Sequence, residues 1–242
     1  MTDESELAGQ TVVLIGGSAG IGLATARRAR AVGADVILTG RDPDRLTAAA
    51  RDTGAQHTAA FDANDPGALA RFFDALPGRI DHILVTAGGP SYKPMLEMNG
   101  DEVREALSGH AALGLAVARH ARTRLRPTGS LILMGGTGGR RIDHRLGIVS
   151  AATAVLPPFT AALALELAPI RVNLIAAGFV DTPLSAMLLG DKLDARRSEL
   201  THELPIGRVV TADDVAALAI HLMVNTALTG ATYDIDGGQQ YV

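Results

Sequence analysis

The sequence predicts an α/β fold, a single Rossmann-type doubly wound domain with a seven-stranded parallel sheet and helices on both faces. Three observations predict it. Short β-branched or apolar runs alternate with longer alanine- and leucine-rich helical patterns, the rhythm of repeated βαβ units. A glycine cluster follows the first such run directly and opens a helical pattern. Hydrophobic residues make up 47% of the 242, yet aromatics only 3%, so small side chains let helices pack closely on both faces of a sheet. A chain of this length buries a substantial core as one unit, here residues 1–242.

The elements follow in order. Strands are expected at residues 12–15, 35–39, 56–61, 82–86, 130–134, 171–176 and 232–235, each a short apolar or β-branched run. Helices are expected between them at 21–32, 43–53, 66–75, 101–125, 150–168 and 212–223. Residues 179–204 read as an insertion of mixed charge with short helical stretches. Because the ligand crevice of an open α/β sheet lies at the carboxyl ends of its strands, that insertion is placed as a substrate lid.

Charge and composition exclude several classes. A net charge of −4 argues against nonspecific nucleic-acid or anionic-membrane binding, both of which rely on an excess of Lys and Arg. A small-molecule substrate is the expected partner. Cysteine is absent, which removes disulfides, thiolate ligands and a thiol nucleophile, and no metal site is expected. Residues 1–10 are acidic and polar, not a leader, and no stretch reads as long enough to cross a bilayer, so a cytoplasmic location is expected.

The most informative motif is Gly16-Gly17-Ser18-Ala19-Gly20-Ile21-Gly22. Gly16 permits a tight turn, Gly20 lets backbone approach a pyrophosphate, and Gly22 allows close helix–strand packing. The helix end then offers unpaired N–H groups and positive dipole to phosphates.

With Gly-x-x-x-Gly-x-Gly, the chain resembles the short-chain dehydrogenase/reductase family. Further blocks agree in order: Thr86-Ala87-Gly88, Arg171-Val172-Asn173, and Ala177-Gly178-Phe179-Val180-Asp181-Thr182-Pro183. Pro205-Ile206-Gly207-Arg208, Asp213-Asp214-Val215-Ala216, Thr229-Gly230 and Asp236-Gly237-Gly238 complete the series. The resemblance implies a nicotinamide cofactor held by Gly16, Ser18, Gly20, Ile21 and Gly22. It implies adenine recognition by Asp62 with the Ala63 amide, although Asp62 could instead cap the following helix. Ala87 and Gly88 would pass beside the ribose and nicotinamide, and Gly178, Val180 and Thr182 would hold the carboxamide.

The second strand closes on Thr39-Gly40-Arg41, without the acidic residue that would bind the ribose 2′-OH of NAD(H) and repel an added phosphate. Arg41 offers a guanidinium suited to a 2′-phosphate, so NADP(H) is the expected cofactor; the alternative is a solvated loop arginine.

The resemblance also implies a Ser-Tyr-Lys set helped by an Asn, in which a lysine four residues after the tyrosine lowers its pKa for proton exchange. Counting back from Leu163-Ala164-Leu165-Glu166, the Tyr and Lys positions fall on Val149 and Thr153. The Ser position falls at Gly136, and the Asn near His110 or Ala111. The only tyrosines are Tyr92, Tyr233 and Tyr241 and the only lysines Lys93 and Lys192, so a one-residue shift restores nothing. The catalytic group is thus unassigned, with His110 and His144 as candidates. His110 reads equally as a packed helical residue, and Arg140-Arg141-Ile142-Asp143-His144-Arg145 as a solvated charge run. Ser150 and Thr153 read as helix-start and helix-surface hydroxyls, while Ser91-Tyr92-Lys93-Pro94 lies within reach of the crevice.

Three functions follow. The first is an NADP(H)-dependent oxidoreductase reducing an imine, iminium or activated double bond without the usual tyrosine acid. The second is a cofactor-bound cyclase or isomerase, and the third a non-catalytic nucleotide-binding regulator. The intact glycine loop favours the first. By family resemblance, the alanine-rich helices at 101–125 and 150–168 are expected to build a homotetramer or homodimer.

Overall fold

The computed structural model describes residues 6–142 and 146–242. Seven strands form one sheet: β1 (Thr11–Ile15), β2 (Asp35–Gly40), β3 (His57–Ala60), β4 (Ile80–Val85), β5 (Leu125–Gly136), β6 (Arg171–Ala177) and, last in sequence, β9 (Thr232–Ile235). Their spatial order is β3-β2-β1-β4-β5-β6-β9, and every pairing is parallel. The chain reverses its direction of travel across the sheet between β1 and β4. That reversal opens a crevice at the carboxyl ends of the two strands.

Alternation along the strands sends side chains to two cores. In β1, Val13 and Ile15 join Phe73 of α3 (Pro66–Asp74) and Val117 of α4 (Gly100–Arg124). Val12 and Leu14 join Ala26 of α1 (Gly20–Ala31), Leu46 of α2 (Pro43–Thr53) and Val215 of α9 (Ala212–Val224) on the other face. Fully burying one such aliphatic side chain stabilises by about 1.5–3 kcal/mol, so the paired cores hold the sheet on both sides.

Helix ends are set by local chemistry. Asp42 accepts hydrogen bonds from the Asp44 and Arg45 amides to start α2, and Asp65 does the same for Gly67 and Ala68 at α3. Asn99 with Glu102, and Thr211 with Asp214, form reciprocal capping boxes on α4 and α9. Only α1, among these five, starts without a side-chain cap.

One expectation is corrected. The single helix read at 150–168 is two, α5 (Ile148–Ala154) and α6 (Leu156–Glu166), parted at Val155. Pro157 and Pro158 explain the break, since each lacks an N–H and its ring crowds the preceding turn. Together Ile148–Glu166 is long and apolar enough to cross a membrane by length and composition, contrary to the sequence reading. Here its apolarity serves packing: Leu156 and Leu163 are buried in the core beside β6 and α4.

The insertion folds as β7 (Val180–Asp181), α7 (Pro183–Leu189) and α8 (Leu193–Glu203). β7 pairs with β8 (Val210–Thr211), and Arg197 binds Asp181 bidentately at 3.0 and 2.8 Å, which anchors α8.

The opposite end of the sheet carries buried polar groups. His82 lies between Ser130 Oγ and Gln10 Oε1, each 2.8 Å away. The buried Arg171 guanidinium donates to the carbonyls of Leu222 at 2.6 Å and Met223 at 2.7 Å, meeting the C-terminal end of α9 where orphan acceptors gather.

Candidate active site

The glycine loop is drawn tight between β2 and β4. The amides of Thr86 and Ala87 both donate to Ile15 O at 2.8 Å, the Thr86 hydroxyl donates to Gly16 O at 2.9 Å, and Gly17 N donates to Thr39 O at 2.8 Å. Thr39 Oγ1 accepts from Gly16 N at 3.3 Å. Gly16 has φ +105°, and a Cβ there would stand 2.7 Å from Thr86 Oγ1; a Cβ at Gly22 would run into the Gly16 carbonyl. The loop therefore passes so close to the α1 terminus that only glycine fits. Because α1 has neither a side-chain cap nor an acidic residue in its first turn, its leading amides, from Gly20, Ile21 and Gly22, suit a phosphate.

The residues expected at the adenosine end lie around the carboxyl ends of β2 and β3. Ser18 sits against the carboxyl end of β2, where a Cβ on Gly40 would come within 2.8 Å of its Oγ. Arg41 follows immediately, exposed and without an ion pair or hydrogen bond among the described residues. Asp62 lies two residues beyond β3 and is not the cap of α3, which is Asp65; it uses Oδ1 to accept from Asn64 N at 3.0 Å. Ala63 is buried beside it.

Across the crevice, Thr182 caps α7 and stands over the α1 terminus: a Cβ on Gly20 would lie 3.5 Å from Thr182 Cβ. Gly178 is held by the C-terminal segment. Its amide donates to Ile235 O, the next amide, of Phe179, donates to Gln239 Oε1 at 2.7 Å, and a Cβ on Gly178 would strike Asp236. Val180 is buried in the β7–β8 pair. Of the nominated residues, the structure brings Gly16, Gly20, Gly22, Ala87 and Thr182 together around the α1 terminus.

At the centre, His110 of α4 lies against the β4 exit. Gly88 has φ +104°, and a Cβ there would be 3.5 Å from His110 Nε2. The ring makes no hydrogen bond among the described residues, and burial pulls its pKa below the ordinary imidazole value. His144 lies outside the described residues. Gly136 faces Thr153, whose Cγ2 would be 3.2 Å from an added Cβ. Thr153 spends its hydroxyl on Val149 O at 2.9 Å. Val149 is a half-buried aliphatic one turn away.

Other polar candidates are committed elsewhere. Lys93 forms an ion pair with Glu102 at 2.7 Å, Arg140 with Asp234 at 2.8 Å, and Arg141 points its guanidinium to Gln239 O at 3.4 Å. Ser150 does not start a helix, because α5 begins at Ile148; its buried hydroxyl has no hydrogen-bond partner. Sequence reasoning missed the roles of Thr39, Thr86 and Gln239. Their partners are main-chain groups 23 to 70 residues away, which no local pattern reveals.

A switch-point crevice with a glycine-lined, uncapped helix terminus defines a Rossmann-type dinucleotide-binding protein. Comparison with known proteins narrows this. A family profile described as enoyl-(acyl carrier protein) reductase matches residues 16–240. The short-chain reductase protein NovJ of Streptomyces niveus is 31% identical, over 98% of this chain and 97% of its own. An NADP-dependent (R)-specific alcohol dehydrogenase of Lentilactobacillus kefiri is 28% identical over 98% of each chain. Among solved structures, a small-chain dehydrogenase in complex with NADPH matches at TM-score 0.81 and 26% identity, over 96% of this chain and 99% of that one. The chain belongs to the short-chain dehydrogenase/reductase family, and with it to the oxidoreductases.

Proposed function

We propose that this protein is an NADP(H)-dependent reductase acting on an imine, iminium or activated double bond, without a tyrosine acid. The observation that carries this reading is the contrast within one crevice: an intact glycine loop with Arg41 unpaired among the described residues, and Val149 and Thr153 where the family's Tyr and Lys fall. NADPH, when bound, would supply the hydride. The α1 amides would hold its pyrophosphate and Arg41 its 2′-phosphate.

The remaining residues then favour a particular electrophile. Ketone reduction builds negative charge on oxygen, and a site without a positioned acid forgoes about 10²–10⁴-fold from proton transfer. An iminium carbon already carries the charge that hydride neutralises. Thr153, in place of a lysine ammonium, puts no cation at that position, and burial holds the His110 pKa below the ordinary imidazole value, which favours a neutral ring with Nε2 facing Gly88. Residues 179–204 act as the lid, with α7 closing over the α1 terminus.

Steady-state assays on matched cyclic-imine and ketone panels with NADPH test this. Imines should turn over faster than ketones of the same skeleton. Efficient ketone reduction with inert imines overturns the reading, and NADPH that binds but is never consumed shifts it to the cofactor-bound cyclase or isomerase.

A further inference from the structure

Large apolar side chains are concentrated at the carboxyl edge of the sheet, where burial would be expected to hide them. The segment after β4 exposes Met95 by 56% and Leu96 completely; the one after β5 exposes Ile142 by 77%; and α7, after β6, exposes Leu184 by 40%, Met187 by 72% and Leu188 by 42%. These three segments leave the same strand ends that carry Ala87-Gly88, Gly136 and Gly178. The first two touch each other, since a Cβ on Gly147 would lie 3.8 Å from Met95 Cγ. Exposed apolar surface on several independent loops around one crevice marks a binding rim rather than scattered surface residues.

The charges around this rim decide what it binds. Lys93 is neutralised by Glu102, Arg140 by Asp234, and Arg197 by Asp181 and Asp194, while Arg141 donates to the Gln239 carbonyl at 3.4 Å. Among the described residues, these cations are already spent on internal partners and offer little to an anionic ligand.

We infer that the rim formed by Met95, Leu96, Ile142, Leu184, Met187 and Leu188 recruits a bulky, apolar substrate body whose only polar group is the reacting one, rather than a phosphate- or carboxylate-bearing substrate. The inference rests on the proposed reductase reading for the reacting group, and on the rim alone for the substrate's body. Each methylene added to such a body should raise affinity about fourfold, at ~0.8 kcal/mol per buried CH₂.

Binding can be read without turnover. Nile red, an uncharged apolar dye, is titrated against the NADPH-loaded wild type, the double variant Met187→Gln/Leu188→Gln, the variant Leu96→Gln, and Leu165→Gln on α6 as a control for apolar surface away from the rim. The rim variants should weaken dye binding about tenfold, Leu96→Gln with NADPH affinity unchanged, while Leu165→Gln leaves dye binding unaltered. A dye affinity that survives the rim changes, or falls only with Leu165→Gln, overturns the inference. So does tighter binding of an anionic naphthalenesulfonate than of Nile red. If rim variants lose the dye yet no imine is reduced, the substrate body stands and the reductase reading falls.

Discussion

At the scale of single residues, Arg41 illustrates what a sequence can disclose. Its position just after β2 is fixed by a strand pattern and a glycine, both visible in the chain, and the structure adds that no ion pair or hydrogen bond among the described residues occupies its guanidinium. Arg41→Ala should therefore weaken NADPH binding by roughly ten- to a hundredfold, the worth of about 1.5–3 kcal/mol for a charge-assisted contact, and leave NADH binding unchanged. Calorimetric titration of both cofactors checks it, and equal losses for the two would remove the assignment. His82 was not legible in this way, because its meaning comes from neighbours on other strands. Burial, and then the nearby Arg171 charge, hold its pKa down to about 3 from 6.5. The folded protein refuses a proton that the unfolded chain accepts, so this stabilisation is whole above pH 6.5 and drains away as pH falls towards 3. The slope should approach about 1.4 kcal/mol per pH unit. Denaturant unfolding at pH 7, 5.5 and 4.5 should show a steeper loss in wild type than in His82→Gln; parallel losses would place the sensitivity elsewhere.

At the scale of elements, α1 and its loop were readable because their chemistry is local: three glycines at fixed spacing across the start of a helix. The structure supplies the reason each is needed, and so a graded expectation. Gly22→Ala drives a Cβ into the Gly16 carbonyl and to 2.8 Å from Thr86 Oγ1, so the loop must move. NADPH affinity should fall at least tenfold, with a loss of stability of about 1–3 kcal/mol measured by denaturant unfolding. Gly89→Ala, where added bulk meets nothing within 4 Å, should change neither. The split between α5 and α6 was equally present in the sequence as Pro157-Pro158. Continuous apolar content on both sides masked it, because hydrophobic periodicity alone does not weigh a missing N–H.

For the whole molecule, the order of helices and strands was legible from the alternating pattern, whereas which strands lie side by side depends on chirality and twist acting over the entire chain. The fate of its outer faces is a property of the assembled sheet too. Leu107 and Leu115 on α4 and Val155 at the helix break remain exposed, and Ile148–Glu166 is under half buried. Light scattering should give a homotetramer or homodimer at micromolar concentration, and a monomer would leave these faces unexplained. The clamp on Gly178 and Phe179 has a different consequence, one for synthesis. Its acceptors, Ile235 O and Gln239 Oε1, arrive 57 and 60 residues after the amides they hold, and β9, which positions them, is the last strand of the sheet in chain order. A nascent chain emerging from the ribosome can assemble six strands of the sheet and the glycine loop while the turn at Gly178 and Phe179 is still untethered. A message cut short before Thr232 would then yield a protein that folds most of its sheet yet leaves that turn without either acceptor.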